Sequence, residues 1–183
     1  MPDRALSRAG DLEARLERQV AEIVLPSFRE VLAGIRTYLL KRNLDNGNLN
    51  NVYQLLRERT SPDAGFISLG PEFDKGPTES HYKLSSKTRL SFGITLREAN
   101  GRCKLISYRF HLHLGTARGP SFFRFDLNTR AHPNPLIEPR SHVHPGRDDI
   151  RLPFPVLTPL ELLDRIFYVI GKPPFANRAR GRV

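Results

Sequence analysis

Apolar and polar residues alternate along the middle of the chain, as they do in β-strands that bury one face. The apolar positions of the first such segment are Leu90, Phe92, Ile94 and Leu96. The Asn100–Gly101 pair that follows favours the positive φ angles of a tight hairpin turn. The pattern therefore predicts a three-stranded antiparallel meander over about residues 82–98, 102–114 and 121–127.

Helical spacing precedes these strands. Apolar residues recur every three or four positions from Asp11 to Val24 and again from Phe28 to Leu39, which predicts an N-terminal helical arm interrupted at Pro26. A third, shorter helix is expected to follow an Asn-rich turn and to end near Arg59.

The C-terminal third begins with a proline-rich segment, residues 128–155, that contains His142 and His144. We expect a long loop here, because such segments are usually functional or disordered. Thr158, Pro159 and Glu161 then form a capping box with proline at the first helical position, which predicts a C-terminal helix.

These elements predict an α+β fold in which an antiparallel sheet packs on N-terminal helices and a C-terminal helix, with a long Pro/His-rich loop. The expected organisation is a helical region over residues 1–60 and a sheet region with a basic C-terminal tail over residues 61–183. With 183 residues, the two parts are expected to form one compact unit.

Charge changes this picture by indicating a class of partner. The chain has 29 Lys and Arg against 19 Asp and Glu, which gives a formal net charge of +10 and a pI near 10.3. Such a protein attracts polyanions, and nucleic acid is the expected partner. Walker-type, dinucleotide-binding and G-x-S-x-G motifs are absent, which argues against nucleotide-driven motors, nicotinamide enzymes and standard serine hydrolases.

Cysteine usage and hydropathy indicate a compartment. Cys103 is the single cysteine, so an internal disulfide is excluded and a cytoplasmic location is expected. The N-terminal residues lack the apolar core of a signal peptide, and the chain has no run of about 20 apolar residues. We therefore expect no membrane association.

Ionisable residues occupy the face of the predicted sheet opposite the apolar one. By strand parity they are Arg89, Arg97, Arg109, His111, His113, Arg124 and Asp126. Cys103 falls on the same face by the same parity. The residues expected to bind nucleic acid are Arg89, Arg97, Arg109, Arg124, Arg147, Arg178, Arg180 and Arg182.

Two kinds of chemistry fit this face. The candidate catalytic residues are His111, His113, Asp126, His142 and His144. If the loop folds over the sheet, the histidines could bind a transition metal such as zinc or manganese, together with Asp126 and with Asp148 or Asp149. Alternatively, one imidazole removes the proton of a ribose 2′-hydroxyl, another protonates the leaving 5′-oxygen, and an arginine stabilises the phosphorane.

A structural interpretation competes with both. Histidines on a strand can be polar residues of a solvated face, and Arg124 can pair with Asp126 two positions away on the same face. Asp148 and Asp149 can equally be turn residues.

The segments Y-R-F-H, F-F-R-F-D, S-H-V-H-P-G and L-T-P-L-E-L-L-D-R-I-F resemble TumE-type toxins and similar small prokaryotic proteins over residues 105–170. The resemblance implies a toxin–antitoxin or phage-defence protein that acts on nucleic acid. The positions that correspond to the recurring residues of that group are His111, Arg124, Asp126, His132, His142 and His144.

Together these patterns predict a prokaryotic protein that binds RNA or DNA and acts as a nuclease. The alternative is a non-catalytic subunit of a nucleoprotein or defence complex. In both cases the N-terminal helices are expected to dock a protein partner, such as an antitoxin or another subunit.

Overall fold

The computed structural model describes residues 3–42, 56–61, 64–69, 81–83, 88–115, 119–131 and 139–169. The helices are α1 (Asp3–Glu22), α2 (Phe28–Arg42) and α3 (Pro159–Val169). The strands are β1 (Val24–Leu25), β2 (Leu56–Ser61), β3 (Ala64–Leu69), β4 (Tyr82–Lys83), β5 (Arg89–Ala99), β6 (Arg102–His113), β7 (Phe122–Leu127), β8 (Ser141–Pro145) and β9 (Leu152–Pro153).

Within the described residues, the strands form one antiparallel sheet, and its main path has the order β2-β3-β5-β6-β7-β8-β9. At its margins β1 pairs with β6, and β4 pairs with β5. The predicted meander is confirmed as β5, β6 and β7, but its first strand begins at Arg89 and not near residue 82, because Tyr82 and Lys83 form the separate strand β4. Asn100 and Gly101 adopt φ angles of 52° and 70° in the first turn. The α+β fold class is confirmed.

The apolar face of the sheet is covered by α2 and α3. Ile35 and Leu39 of α2 and Phe167 of α3 are fully buried together with the alternating apolar residues of β5 and β6. The rings of Phe92 and Phe110 stack across these two strands at a centroid distance of 4.9 Å. The predicted alternation is thus confirmed, and it leaves the opposite face of the sheet to the ionisable residues.

One prediction in the N-terminal part was wrong. The expected helix ending near Arg59 is strand β2 over its described residues, because Leu56 and the residues after it pair with β3. β2 also spans the boundary between residues 60 and 61 at which we expected the helical region to end and the sheet region to begin. The interruption of the helical arm at Pro26 is confirmed, since α1 ends at Glu22 and α2 begins at Phe28. Between the two helices, β1 pairs with β6 at Cys103 and Lys104, which the helical spacing did not predict.

The proline-rich segment is also more regular than predicted. Over its described part it contains β8 and β9, so His142 and His144 lie on a strand and not in a loop. The strand is possible because Pro139 and Pro145 lie outside its central positions, where each residue needs its N–H group. The predicted capping box is confirmed, since the Thr158 amide donates to Oε2 of Glu161 at 2.8 Å.

A β-bulge changes the parity of β6. The register shifts between Thr95 and Leu96, whose partners are Ser107 and Leu105, so Ile106 is the extra residue. Cys103 is therefore buried on the apolar face, and the prediction that it shares a face with Arg109 was wrong. Burial and the nearby Glu98 raise the pKa of its thiol.

Helix α1 is held to the start of β8 by charged contacts. Glu13 accepts a hydrogen bond from the backbone N–H of Arg140, and Glu17 accepts from the guanidinium groups of Arg140 and Arg130. Leu16 and Val20 supply its buried apolar contacts. Neither α1 nor any other described helix combines the length and the apolar composition that a membrane crossing requires.

Candidate functional site

Strands β6, β7 and β8 place six ionisable residues in two rows on the face away from α2 and α3. The first row is Arg109, Asp126 and His142, and the second row is His111, Arg124 and His144. Residues that pair directly across antiparallel strands point to the same side of the sheet, so their side chains lie together. We call these six residues the polar cluster.

Asp126 is the centre of the polar cluster. Its Oδ1 accepts a hydrogen bond from Nε of Arg109 at 3.2 Å, and its Oδ2 accepts from Nε of Arg124 at 2.8 Å. The same Oδ2 lies 3.6 Å from Nε2 of His142 and 3.4 Å from Nε2 of His144. The Asp126 side chain is only 4% exposed, so these four side chains replace its solvent.

Arg124 uses each of its nitrogens within this site. Besides the bond to Asp126, its Nη1 donates to Oδ1 of Asp148 at 2.6 Å, and its Nη2 lies 2.8 Å from Nε2 of His144. A guanidinium group held by two carboxylates is fixed in direction and largely neutralised. Arg124 is therefore the bridge between the buried and exposed parts of the cluster.

His142 and His144 are fully buried beneath Arg124. Nδ1 of His142 donates a hydrogen bond of 2.7 Å to the carbonyl oxygen of Pro139, which turns Nε2 of this ring toward Nε2 of His144 at 3.0 Å. Burial lowers the pKa of His144, and the charge of Arg124 lowers it further against the opposing effect of Asp126. His144 is thus a neutral imidazole at pH 7.

His111 and His113 form the exposed side of the site. Their rings lie 4.0 Å apart, and the ring of Phe122 contacts both. Burial, followed by the neighbouring His113 and Arg124, lowers the pKa of His111 to about 4. Burial and Arg89 also lower the pKa of His113. Both rings are therefore neutral at pH 7, and they lie outside the group that surrounds Asp126.

The structure separates the arginines predicted to bind nucleic acid. Arg89 pairs with His113 at the end of β5 nearest the second row, whereas Arg97 pairs with Lys104 at the other end. Four residues of strand, about 13 Å, separate Arg97 from Gly93, the residue that pairs with Arg109.

The remaining predicted residues lie apart from the polar cluster or outside the described residues. Arg147 is exposed and bonded to Asp149 through two nitrogens. His132, Arg178, Arg180 and Arg182 lie outside the described residues.

Sequence reasoning missed two supports of the site. Pro139 acts through its carbonyl oxygen, which no side-chain pattern reveals. Arg140 is buried and donates to Glu17 and to the carbonyl oxygens of Asn128 and Ile106, although it lies in a segment without periodicity. Asp148, expected as a metal ligand, a base or a turn residue, holds Arg124.

The arrangement offers two chemical capacities. The exposed ring of His113 and Arg109 can contact a substrate beside the half-buried ring of His111, while Asp126, His142 and His144 have ligand atoms that all lie within 4.8 Å of one another. No protein-family model, no curated protein and no solved structure matches the chain. The function is therefore inferred from the geometry of the site.

Proposed function

We propose that this protein is a prokaryotic nuclease of the toxin or phage-defence type, which binds RNA or DNA on the polar cluster and cleaves its phosphodiester backbone. The observation that carries the proposal is the convergence of two guanidinium groups and two buried imidazoles on Asp126, with the neutral His111 in the adjoining row. Arginines with neutral histidines suit a phosphodiester better than an uncharged substrate.

Binding would begin at Arg109 and Arg89. The side chain of Arg109 is 42% exposed, and its bond to Asp126 fixes the direction of the guanidinium group. Arg89 lies across the strand pair from His113, at the exposed side of the site. Guanidinium groups contact phosphate oxygens through paired N–H donors, so these two residues can hold a phosphate beside the histidines.

His111 is the candidate general base. Its Nε2 is buried and has no hydrogen-bond partner among the described residues, and its low pKa keeps the ring neutral at pH 7. On RNA, His111 would take the proton of the 2′-hydroxyl while the 2′-oxygen attacks phosphorus and the bond to the 5′-oxygen breaks. The imidazolium that His111 becomes would return this proton to the 5′-oxygen, and Arg109 would stabilise the phosphorane charge.

One observation favours a second candidate, a nucleic-acid-binding subunit without turnover. The formal charges of Arg109 and Arg124 are cancelled by those of Asp126 and Asp148, and Arg124 is already saturated with partners. A cluster balanced in this way can serve as a rigid support for a binding face. In that case the N-terminal helices would dock the catalytic or regulatory partner.

The test is incubation of the full chain with labelled single-stranded RNA and DNA, with EDTA and with added Mn²⁺, reading cleavage and gel shift together. The nuclease proposal expects cleavage that His111→Gln abolishes while the gel shift persists. A salt-sensitive shift with intact polymers would favour the binding subunit. Neither cleavage nor a shift with either polymer would overturn both.

A further inference from the structure

We propose that Asp126, His142 and His144 bind one divalent first-row transition-metal ion, such as Zn²⁺ or Mn²⁺, through Oδ2 and the two Nε2 atoms. The site lies on β7 and β8, beneath Arg124 and apart from His111 and His113. It is independent of whether the protein cleaves nucleic acid.

The spacing of the three atoms fits an ion. The two Nε2 atoms are 3.0 Å apart, and Oδ2 lies 3.6 Å from one and 3.4 Å from the other. An ion with bonds of about 2.0–2.1 Å places adjacent donors about 2.8–3.0 Å apart in octahedral geometry and about 3.3–3.4 Å apart in tetrahedral geometry. The donors therefore need to move by only a few tenths of an ångström to reach bonding distance.

The hydrogen-bond roles of the two rings make both Nε2 atoms available to a cation. The Pro139 carbonyl can only accept, so Nδ1 of His142 carries a hydrogen and Nε2 is the ring nitrogen that can offer a lone pair to an ion. Arg124 can only donate, so its contact from Nη2 gives Nε2 of His144 the role of acceptor as well. With the Asp126 carboxylate, three lone-pair atoms then face one another inside the protein.

His142 makes the second hydrogen bond that metal-ligating histidines ordinarily make. Such histidines donate their second ring N–H to a backbone carbonyl or a carboxylate, which fixes the tautomer and the ring orientation. His142 does so to Pro139 at 2.7 Å. This bond prepares Nε2 as a ligand before any ion arrives.

Ion binding requires Nη2 of Arg124 to leave Nε2 of His144. Asp148 is 72% exposed at its side chain and holds Nη1 of Arg124 at 2.6 Å, so it can retain the guanidinium group on the outer side. Two imidazoles and one carboxylate favour zinc, manganese, iron or cobalt over calcium or magnesium, which prefer oxygen ligands. Three protein ligands also leave coordination positions open for water or an anion.

In the proposed nuclease the ion would lie beside Arg109 and Arg124, and this role rests on the proposed function. The four charged groups of the site sum to zero, so a divalent ion would make the site positive toward phosphate. It would also lower the pKa of a bound water, which could then act as the nucleophile on DNA as well as RNA.

The test is titration of the EDTA-treated full chain with ZnCl₂ by calorimetry and with CoCl₂ by visible absorption. We expect one ion per chain, with binding weakened at least about 100-fold in His142→Gln and in His144→Gln. His113→Gln is the matched control, because His113 belongs to the other His-x-His pair, on β6, and the variant should bind within about threefold of the natural chain. Equal affinity of His142→Gln and the natural chain would overturn the proposal, as would loss confined to His113→Gln.

A second measurement needs no variant. Imidazole ¹⁵N spectra of the natural chain with Zn²⁺ should show Nε2 of two histidines shifted to metal-bound values, while unchanged Nε2 signals would indicate a shared proton in place of an ion. Ion binding without cleavage would leave the metal site standing and end the nuclease proposal. If the protein binds no ion and cleaves nucleic acid in the presence of EDTA, the nuclease proposal is supported and the metal-site proposal is overturned.

Discussion

Nε of Arg124 donates a 2.8 Å hydrogen bond to Oδ2 of Asp126, and the two residues lie two positions apart on the same face of β7. This pair is the point at which the buried and exposed parts of the site meet. On its inner side Asp126 faces His142 and His144, and on its outer side Arg124 is held by Asp148. The stability of the sheet and the chemistry of the site are therefore linked through one carboxylate.

Asp126→Asn should destabilise the protein strongly. The substitution removes the negative charge that balances Arg109 and Arg124 while leaving both guanidinium groups in place. Removing one partner of a buried ion pair costs about 3–5 kcal/mol. Urea denaturation followed by circular dichroism measures the change in the free energy of unfolding.

The matched control for that experiment is Asp149→Asn. Asp149 also binds an arginine through two oxygens, but both partners are exposed, and exposed pairs contribute little. We expect no measurable change in the unfolding midpoint. If Asp126→Asn behaved like Asp149→Asn, the cluster would not depend on its central carboxylate.

The neutrality of His111 predicts a pH dependence of stability. Its pKa of about 4 results from burial and from His113, Arg124 and Arg109, which outweigh the opposing Asp148. Between pH 6.5 and 4 the unfolded chain takes up a proton that the folded chain does not, so the free energy of unfolding falls as the pH falls through this range. The contribution of one such site is at most about 1.4 kcal/mol per pH unit.

Urea midpoints at pH 7.5, 6.0 and 5.0 measure this effect. The His111→Gln variant should lose less stability on acidification than the natural chain does. Parallel curves for the two proteins would show that His111 titrates in the folded state at its ordinary pKa.

The sequence predicted the parts of the site whose placement is determined within a single strand or a single helical turn. Alternation along β6 and β7 was enough to place Arg109, His111, Arg124 and Asp126 on one face, because parity within a strand is a local property. The C-terminal helix was predictable for the same reason, since the Thr158–Glu161 capping box lies within one turn.

The pairing of β8 with β7 was not predictable in this way. It brings His142 opposite Asp126 across a connection of more than a dozen residues, and the proline content of that segment favoured a loop. The bulge at Ile106 is a shift in the register between β5 and β6, so parity failed at Cys103. The buried half of the site therefore follows from tertiary pairing, which sequence periodicity does not encode.

Arg140→Met should loosen the attachment of α1. Arg140 is 8% exposed and donates to Glu17 and to two backbone carbonyl oxygens, so its loss removes the guanidinium donor of both carbonyl oxygens and leaves Glu17 with Arg130. We expect a loss of about 2–3 kcal/mol in the free energy of unfolding, and faster amide exchange in α1. Arg130→Met is the control, because Arg130 also binds Glu17 but is 79% exposed at its side chain, and it should cost about 1 kcal/mol or less. Equal losses would mean that burial of Arg140 contributes nothing to holding the helix.

Arg109→Gln and Arg97→Gln together locate the nucleic acid on the sheet. Both arginines lie on the strands of the meander, but Arg109 borders the polar cluster, whereas Arg97 lies toward the turn between β5 and β6. If a phosphate binds at the cluster, Arg109→Gln removes about one phosphate contact, so the slope of log affinity against log salt should become shallower by about 0.7–0.9. Arg97→Gln should leave the slope unchanged. Fluorescence anisotropy with a labelled oligonucleotide at several salt concentrations measures the two slopes. The same change of slope in both variants would mean that the nucleic acid binds along the whole strand and not at the polar cluster.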